Sequence, residues 1–271
     1  MGHKSIINQL KKNQILDLLN DGNRIDGRKF DEPRHLTIDT NVVPKAEGSA
    51  RARLGDTEVV AGVKVQVEKP FPDTGDKGML ICTAEILPIA HPSVETGPPG
   101  PDVVELARVV DRGIRESGML DMKKLVIKEN VSVIGIFSDN SVTDHDGNLF
   151  DACSYASTAA ILSSKIPKYE IKDELPTLVE DQFDDPPITT IPVSVTMAKI
   201  GDHIIVDPNS DEWMIMDARI TITTNSDGNI VALQKGGHNG FTYEQLVKAS
   251  EISISVGSKI REIIKQSTQG N

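Results

Sequence analysis

The sequence predicts an α+β fold of two similar halves, with mixed sheets packed against helices. Three observations predict it. Valine- and isoleucine-rich strand segments come in groups, and a helical segment follows each group. That order occurs once before and once after a polar, acidic, proline-containing stretch at 168–187. A chain of 271 residues is ample for the large core this requires, although no repeat between the halves is strong enough to prove duplication.

The elements follow in order. Apolar positions Ile6, Ile7, Leu10, Ile15, Leu18 and Leu19 recur at helical spacing. They predict a first helix stopped near Gly22, inside an N-terminal helix and arm of residues 1–32. The first half, 33–167, opens with strands at 51–54 and 57–67 around the turn Gly55-Asp56, then a third at 79–89. Residues 95–101, ETGPPGP, break regular structure, and a helix begins at Asp102 with Glu105 placed as in a capping box. Strands at 131–138 and from Ser141 end in Asp144-His145-Asp146-Gly147, ahead of a small-residue helix at 150–164. After the linker 168–187, the second half, 188–265, has strands at 190–198, 203–206, 216–223 and 230–234. Its last helix starts at Thr242 with Gln245 completing a capping box.

Composition narrows the function. No apolar run reaches the roughly 18 residues of a membrane span, and residues 1–12 lack a secretory apolar stretch. The expected location is the cytoplasm, with no membrane partner. Cys82 and Cys153 lie in apolar segments and read as buried packing thiols. The six histidines are scattered, so no metal and no cofactor is expected. A net charge of −11 excludes indiscriminate nucleic-acid binding, because phosphate contacts need local Lys and Arg. RNA contact would need a local basic patch or a surface shared with a partner.

One helix carries such a patch. In 102–117, DVVELARVVDRGIRES, Val103, Leu106, Ala107, Val110 and Ile114 fall on one face, and Arg108, Arg112 and Arg115 on the opposite side. Three guanidiniums in a row can fork onto phosphate oxygens without reading bases. Glu105, Asp111 and Glu116 stand three or four residues away, so surface ion pairs are the other reading of the stripe. Asp207, Asp211, Glu212 and Asp217 form an acidic cluster that is open to two readings, a divalent-cation site or an acidic turn. The glycines at 236–240 precede a helix but match no phosphate-loop or dinucleotide pattern.

Several stretches together resemble the RNase PH family. They are Arg24-Ile25-Asp26-Gly27-Arg28-Lys29 with Arg34; Gly48-Ser49-Ala50 through Leu54-Gly55-Asp56-Thr57; Glu95 to Gly100 with Glu105 to Arg112; and Val206-Asp207-Pro208 with Asp211-Glu212 and Met216-Asp217-Ala218-Arg219. The last two groups resemble the larger, inactive ring subunit of the archaeal exosome, and the match runs from about residue 20 to the end. The resemblance implies an RNase PH-like fold and a catalytic RNase PH-like partner, three such heterodimers closing a six-membered ring. It also implies RNA-binding cap subunits and RNA held through Arg108 and Arg112, to which the stripe adds Arg115. Catalytic members place Gly-Ser-Arg or Gly-Thr-Arg where this chain has Asn148-Leu149-Phe150, and two arginines where it has Pro101-Asp102. The resemblance therefore implies no catalytic residue here and a structural, RNA-holding role in 3′-to-5′ phosphorolysis. The alternative is a chain that is itself an active phosphate- or metal-dependent exoribonuclease.

Overall fold

A computed structural model of the chain describes residues 2–172 and 175–269. Helix α1 (Gly2–Asn20) precedes strands β1 (Leu36–Thr40), β2 (Gly48–Leu54), β3 (Thr57–Glu68) and β4 (Met79–Ile86). Helix α2 (Pro101–Glu116), strands β5 (Val126–Lys128) and β6 (Ser132–Asp144), and helix α3 (Leu149–Leu162) complete the first half. Its mixed sheet has the order β1-β2-β3-β6-β4, with β5 also on β6 and with β4 parallel to β6. In β3, Thr57, Val59, Ala61, Val63 and Val65 all face inward, the period of two that a half-buried strand needs. The β2–β3 turn passes through Gly55 at φ +59°, a left-handed conformation that glycine adopts without penalty.

Two expectations are corrected in this half. The strand pair expected around residues 131–144 is one continuous strand, β6. Asp139-Asn140 reads as a break in the sequence, but Asn140 is buried with its polar ends used, donating to the Thr83 carbonyl and accepting from Ser157 Oγ. Buried amides with partners on both ends do not interrupt a ladder. Nor does Asp102 cap α2. Gly100 is the N-cap with Pro101 at the first helical position, where a missing N–H costs nothing. Glu105 is thereby free to reach Arg219 and Gln234.

The segment expected as a linker carries strands of its own. Strands β7 (Ile166–Lys172) and β8 (Leu175–Asp184) form a two-stranded antiparallel ladder across most of 168–187. Main-chain hydrogen bonds hold it, so the acidic side chains that obscure a strand pattern can stay in water on both faces.

In the second half, β9 (Val193–Ile200), β10 (His203–Val206), helix α4 (Ser210–Ile215), β11 (Ala218–Thr224), β12 (Ile230–Gly237) and helix α5 (Tyr243–Gln269) follow. The sheet order is β10-β9-β11-β12, antiparallel throughout. The capping box at α5 is present, Thr242 N–H donating to Gln245 Oε1 and Gln245 N–H to Thr242 Oγ1.

Helix α3 lies between the halves, and every residue from Leu149 to Ile161 is buried. It packs on β2, β3 and β6 on one side and on β9 on the other. Its Ala and Ser residues permit that closeness: a Cβ on Gly48 would meet the Ala160 carbonyl at 2.4 Å. A single hydrophobic core therefore runs through both halves. A smaller cluster behind the second sheet joins Ile15 and Leu19 of α1 to Ile200, Ile205 and Ile215. In α1, Leu10 is exposed, and the side chains of Ile6 and Ile7 lie outside the described residues.

Candidate functional site

The N-terminal arm is clasped to the second half by arginines. Arg24 forks onto Glu212 (Nε–Oε1 2.9 Å, Nη2–Oε2 2.6 Å), both side chains 0% exposed, and it also donates to the Val206 and Asp207 carbonyls. Arg34 forks onto Asp207 (Nη2–Oδ1 2.8 Å, Nε–Oδ2 2.9 Å), and Arg28 reaches the same carboxylate. Burial alone would push the Asp207 carboxyl up, but Arg34 and the Asn148 amide together bring it below the usual carboxylate value. The stability this pair adds is present above the unfolded carboxylate pKa and is lost as pH falls through the depressed one.

Every carboxylate of the acidic cluster faces a cation of the chain. Asp207 and Glu212 are taken by arginines, Asp211 lies 2.5 Å from Lys11, and Asp217 lies 2.5 Å from Lys12 while accepting from the Gly201 N–H. The four carboxylates meet five cations of the chain itself, and among the described residues no group of three His, Cys, Asp or Glu side chains is placed to hold a metal ion. The glycines at 236–237 serve packing instead, since a Cβ on Gly236 would meet Arg219 Cζ at 2.4 Å.

The stretch that the resemblance aligns with the catalytic members' phosphate loop, Asn148-Leu149-Phe150, starts α3. Asn148 is left-handed (φ 44°), a conformation Asn tolerates better than most residues, and its amide donates to both Asp151 Oδ2 (2.8 Å) and Asp207 Oδ1 (2.7 Å). Leu149 and Phe150 are 7% and 5% exposed, and Phe150 stacks on Trp213 with ring centroids 5.9 Å apart. Arg219 lies over the Phe150 ring at 4.3 Å, with Nη2 bonded 2.6 Å to Glu105. A cation thus sits close to the position, but a carboxylate neutralises it and an aromatic face covers it. Beside it opens a cleft of about 280 Å³, lined by Asp102, Glu105, His145, Phe150, Trp213 and Arg219 among others. Sequence reading missed Trp213, Arg219 and Gln234. The available signal was a lone arginine within the β-branched run of β11, which demands a buried partner.

The arginine stripe divides. The buried side of α2 is Leu106, Val109, Val110, Gly113 and Ile114, with Val103 and Ala107 only half-buried. Arg115 forks onto Asp111 (Nη2–Oδ1 2.9 Å, Nε–Oδ2 3.1 Å) and donates to the Leu80 carbonyl at 2.7 Å. Arg112 leans toward Gln234 of β12, with Nη1–Oε1 at 3.3 Å. Arg108 is exposed and, among the described residues, makes no hydrogen bond or ion pair. Arg108 and Arg112 border a groove of about 530 Å³ with Pro99, Pro101, Glu105 and Gln234.

Asp151 carries a separate consequence. Burial raises its carboxyl to about 7, against donors from Asn148, the Thr196 N–H and the Thr196 hydroxyl. Because the folded value is raised, the native state takes up a proton before the unfolded state does, and this group favours folding more as pH falls from about 7 toward 4. An infrared carboxylic C=O band should therefore grow in below pH 7 and be missing in Asp151→Asn. A band that appears only below pH 5 would contradict this.

Both cysteines are buried, where burial pushes their thiols up. Among the described residues no helix is long and apolar enough to cross a membrane.

Comparison with known proteins agrees with this architecture. The 3′ exoribonuclease (RNase PH) family model matches residues 32–167 with its domain 1 and residues 190–256 with its domain 2. The exosome complex component Rrp42 of Thermococcus kodakarensis is 45% identical over 263 residues, 97% of each chain. That of Thermoplasma acidophilum is 47% identical over 257 residues, 95% of this chain and 96% of the relative. A chain of the solved Archaeoglobus fulgidus exosome with RNA bound to the active site is 44% identical, superposes with a TM-score of 0.87, and is matched over 95% of this chain and 98% of that one.

Proposed function

From membership of the RNase PH family of 3′ exoribonucleases, to which this chain belongs, we propose that it is the non-catalytic ring subunit of an archaeal-type RNA exosome. It pairs with a catalytic RNase PH-like subunit, three heterodimers close the ring, and cap subunits deliver RNA to it in the cytoplasm. Its two halves, 33–167 and 188–265, act as the family's two domains across the 168–187 hairpin.

One observation carries the reading. Where the resemblance places an arginine to grip the attacking phosphate, Phe150 is 5% exposed. The neighbouring Arg219 is paired through Nη2 with Glu105, while its Nη1, unpartnered among the described residues, is buried away from an incoming anion. A dianion needs unengaged cationic or N–H donors, so attack on the RNA belongs to the partner. The contribution of this chain is electrostatic positioning. Arg108 and Arg112 are four residues apart on an exposed helix face and grip the RNA backbone, while Arg115, neutralised by Asp111, adds least.

The test is filter binding of single-stranded RNA by the assembled complex across salt concentrations. Arg108→Glu with Arg112→Glu lowers affinity and flattens the log–log salt slope by about 1.4, two phosphate contacts at roughly 0.7 each on a single strand. Arg115→Glu changes both less, and gel filtration shows each complex intact. An unchanged affinity with an unchanged slope in the double variant refutes the RNA-holding role.

A further inference from the structure

We propose that the cleft between α2, α3 and α4 is a binding site for a nucleobase bearing an exocyclic amino group. This goes beyond the arginine pair and does not rest on it. The cleft of about 280 Å³ sits near the lower end of the roughly 300–1,000 Å³ of small-molecule sites, the size for one planar group. Its apolar walls combine the aromatic Trp213 and Phe150 with the aliphatic Ile86, Leu106, Leu149 and Met216, which suits a flat, largely apolar ring.

Its polar lining selects among such rings. Glu105 uses one acceptor position on Arg219 and one on Gln234, and a carboxylate has about four. Asp102, exposed in the first turn of α2, makes no hydrogen bond among the described residues. His145 Nδ1 accepts from the Gly147 N–H, so Nε2 carries the proton. Burial and the neighbouring His91 hold that imidazole below its usual value, so it is neutral at pH 7. With Arg219 balanced by Glu105, the lining keeps the negative charge of Asp102 and spare acceptors on Asp102 and Glu105 for an amino group. Beside them stand His145 Nε2–H, a donor for a ring nitrogen, and a buried Arg219 Nη1 that is unpartnered among the described residues. Such a cleft repels phosphate and favours an uncharged ring that presents N–H donors.

Trp213 is the only tryptophan in the chain, so its fluorescence reports on this cleft. The full-length chain is titrated with adenosine, purine riboside, AMP and inorganic phosphate, with calorimetry alongside. Adenosine quenches Trp213 saturably. Purine riboside, the same ring without the amino group, binds about tenfold more weakly, the worth of one hydrogen bond to a charged acceptor. AMP binds no tighter than adenosine, and phosphate does not displace it. Asp102→Asn, on the surface, weakens adenosine by a similar factor with an unchanged urea midpoint. An oligoadenylate that competes with adenosine at Trp213 supports the proposal and assigns the cleft to a base of the strand; one that leaves Trp213 unaltered, with adenosine still bound, supports it for the free nucleoside. The proposal is overturned if millimolar adenosine gives neither heat nor quenching, if purine riboside binds equally, if phosphate competes, or if Asp102→Asn leaves the affinity unchanged.

Discussion

Purified alone and incubated with single-stranded RNA, phosphate and Mg²⁺, this chain should release no nucleoside diphosphate above background, and release should begin only when a catalytic partner is added. The expected deficit is large. Each missing electrostatic donor at a transition state costs about 3–4 kcal/mol. By the resemblance three donors are gone, and two of them suffice for the estimate: Phe150 stands for the loop arginine, and Pro101-Asp102, the first residues of α2, stand for an arginine pair. Two such losses amount to roughly 10⁴–10⁶ in rate. Phe150→Arg alone should not restore turnover, because Asp102 and Glu105 still face the cleft and would pair with the new guanidinium. Thin-layer separation of labelled products reads the result. Diphosphate release by the lone chain, abolished in Asp217→Asn, would establish the active-enzyme alternative instead.

Arg24→Met should destabilise the fold by about 3–5 kcal/mol, the cost of leaving a buried carboxylate without its partner. The pair is fully enclosed, with both side chains at 0% exposure and two bonds between them. Replacing both members, Arg24→Met with Glu212→Leu, should recover part of that loss, since a matched apolar pair removes the unpaired charge. Recovery is incomplete because Arg24 also ties down the Val206 and Asp207 carbonyls, and Glu212 closes the capping box of α4 with Asn209. Urea denaturation measures both. A loss below about 1 kcal/mol for Arg24→Met would mean that the arm is not held by this clasp.

The site was only half legible before the fold was known. Arg108 and Arg112 are four apart on one helix, so local geometry alone places them together. Arg115 has the same sequence credentials, yet its bonds to Asp111 and the Leu80 carbonyl withdraw it from the stripe. Half of that outcome was visible in the i,i+4 spacing, and the other half depends on β4 packing beside α2. The acidic cluster at 207–217 shows the opposite limit. Its spacing allows a cation site, and the cations it meets are Arg24, Arg28, Arg34, Lys11 and Lys12, nearly two hundred residues earlier in the chain.

By itself the sequence determined the α+β alternation, the turn of the β2–β3 hairpin, the capping of α5 and the buried thiols. All of these are local: period, turn chemistry and residue type act within a few positions. Only the tertiary structure decided that β7 and β8 pair across 166–184, that Asn140 belongs inside a continuous strand, that Arg219 covers Phe150 while bound to Glu105, and that Arg24, Arg28 and Arg34 meet the 207–212 carboxylates. Each of these depends on a partner distant in the chain. Buried polar groups are stable only where that partner arrives, and no local pattern records which one will.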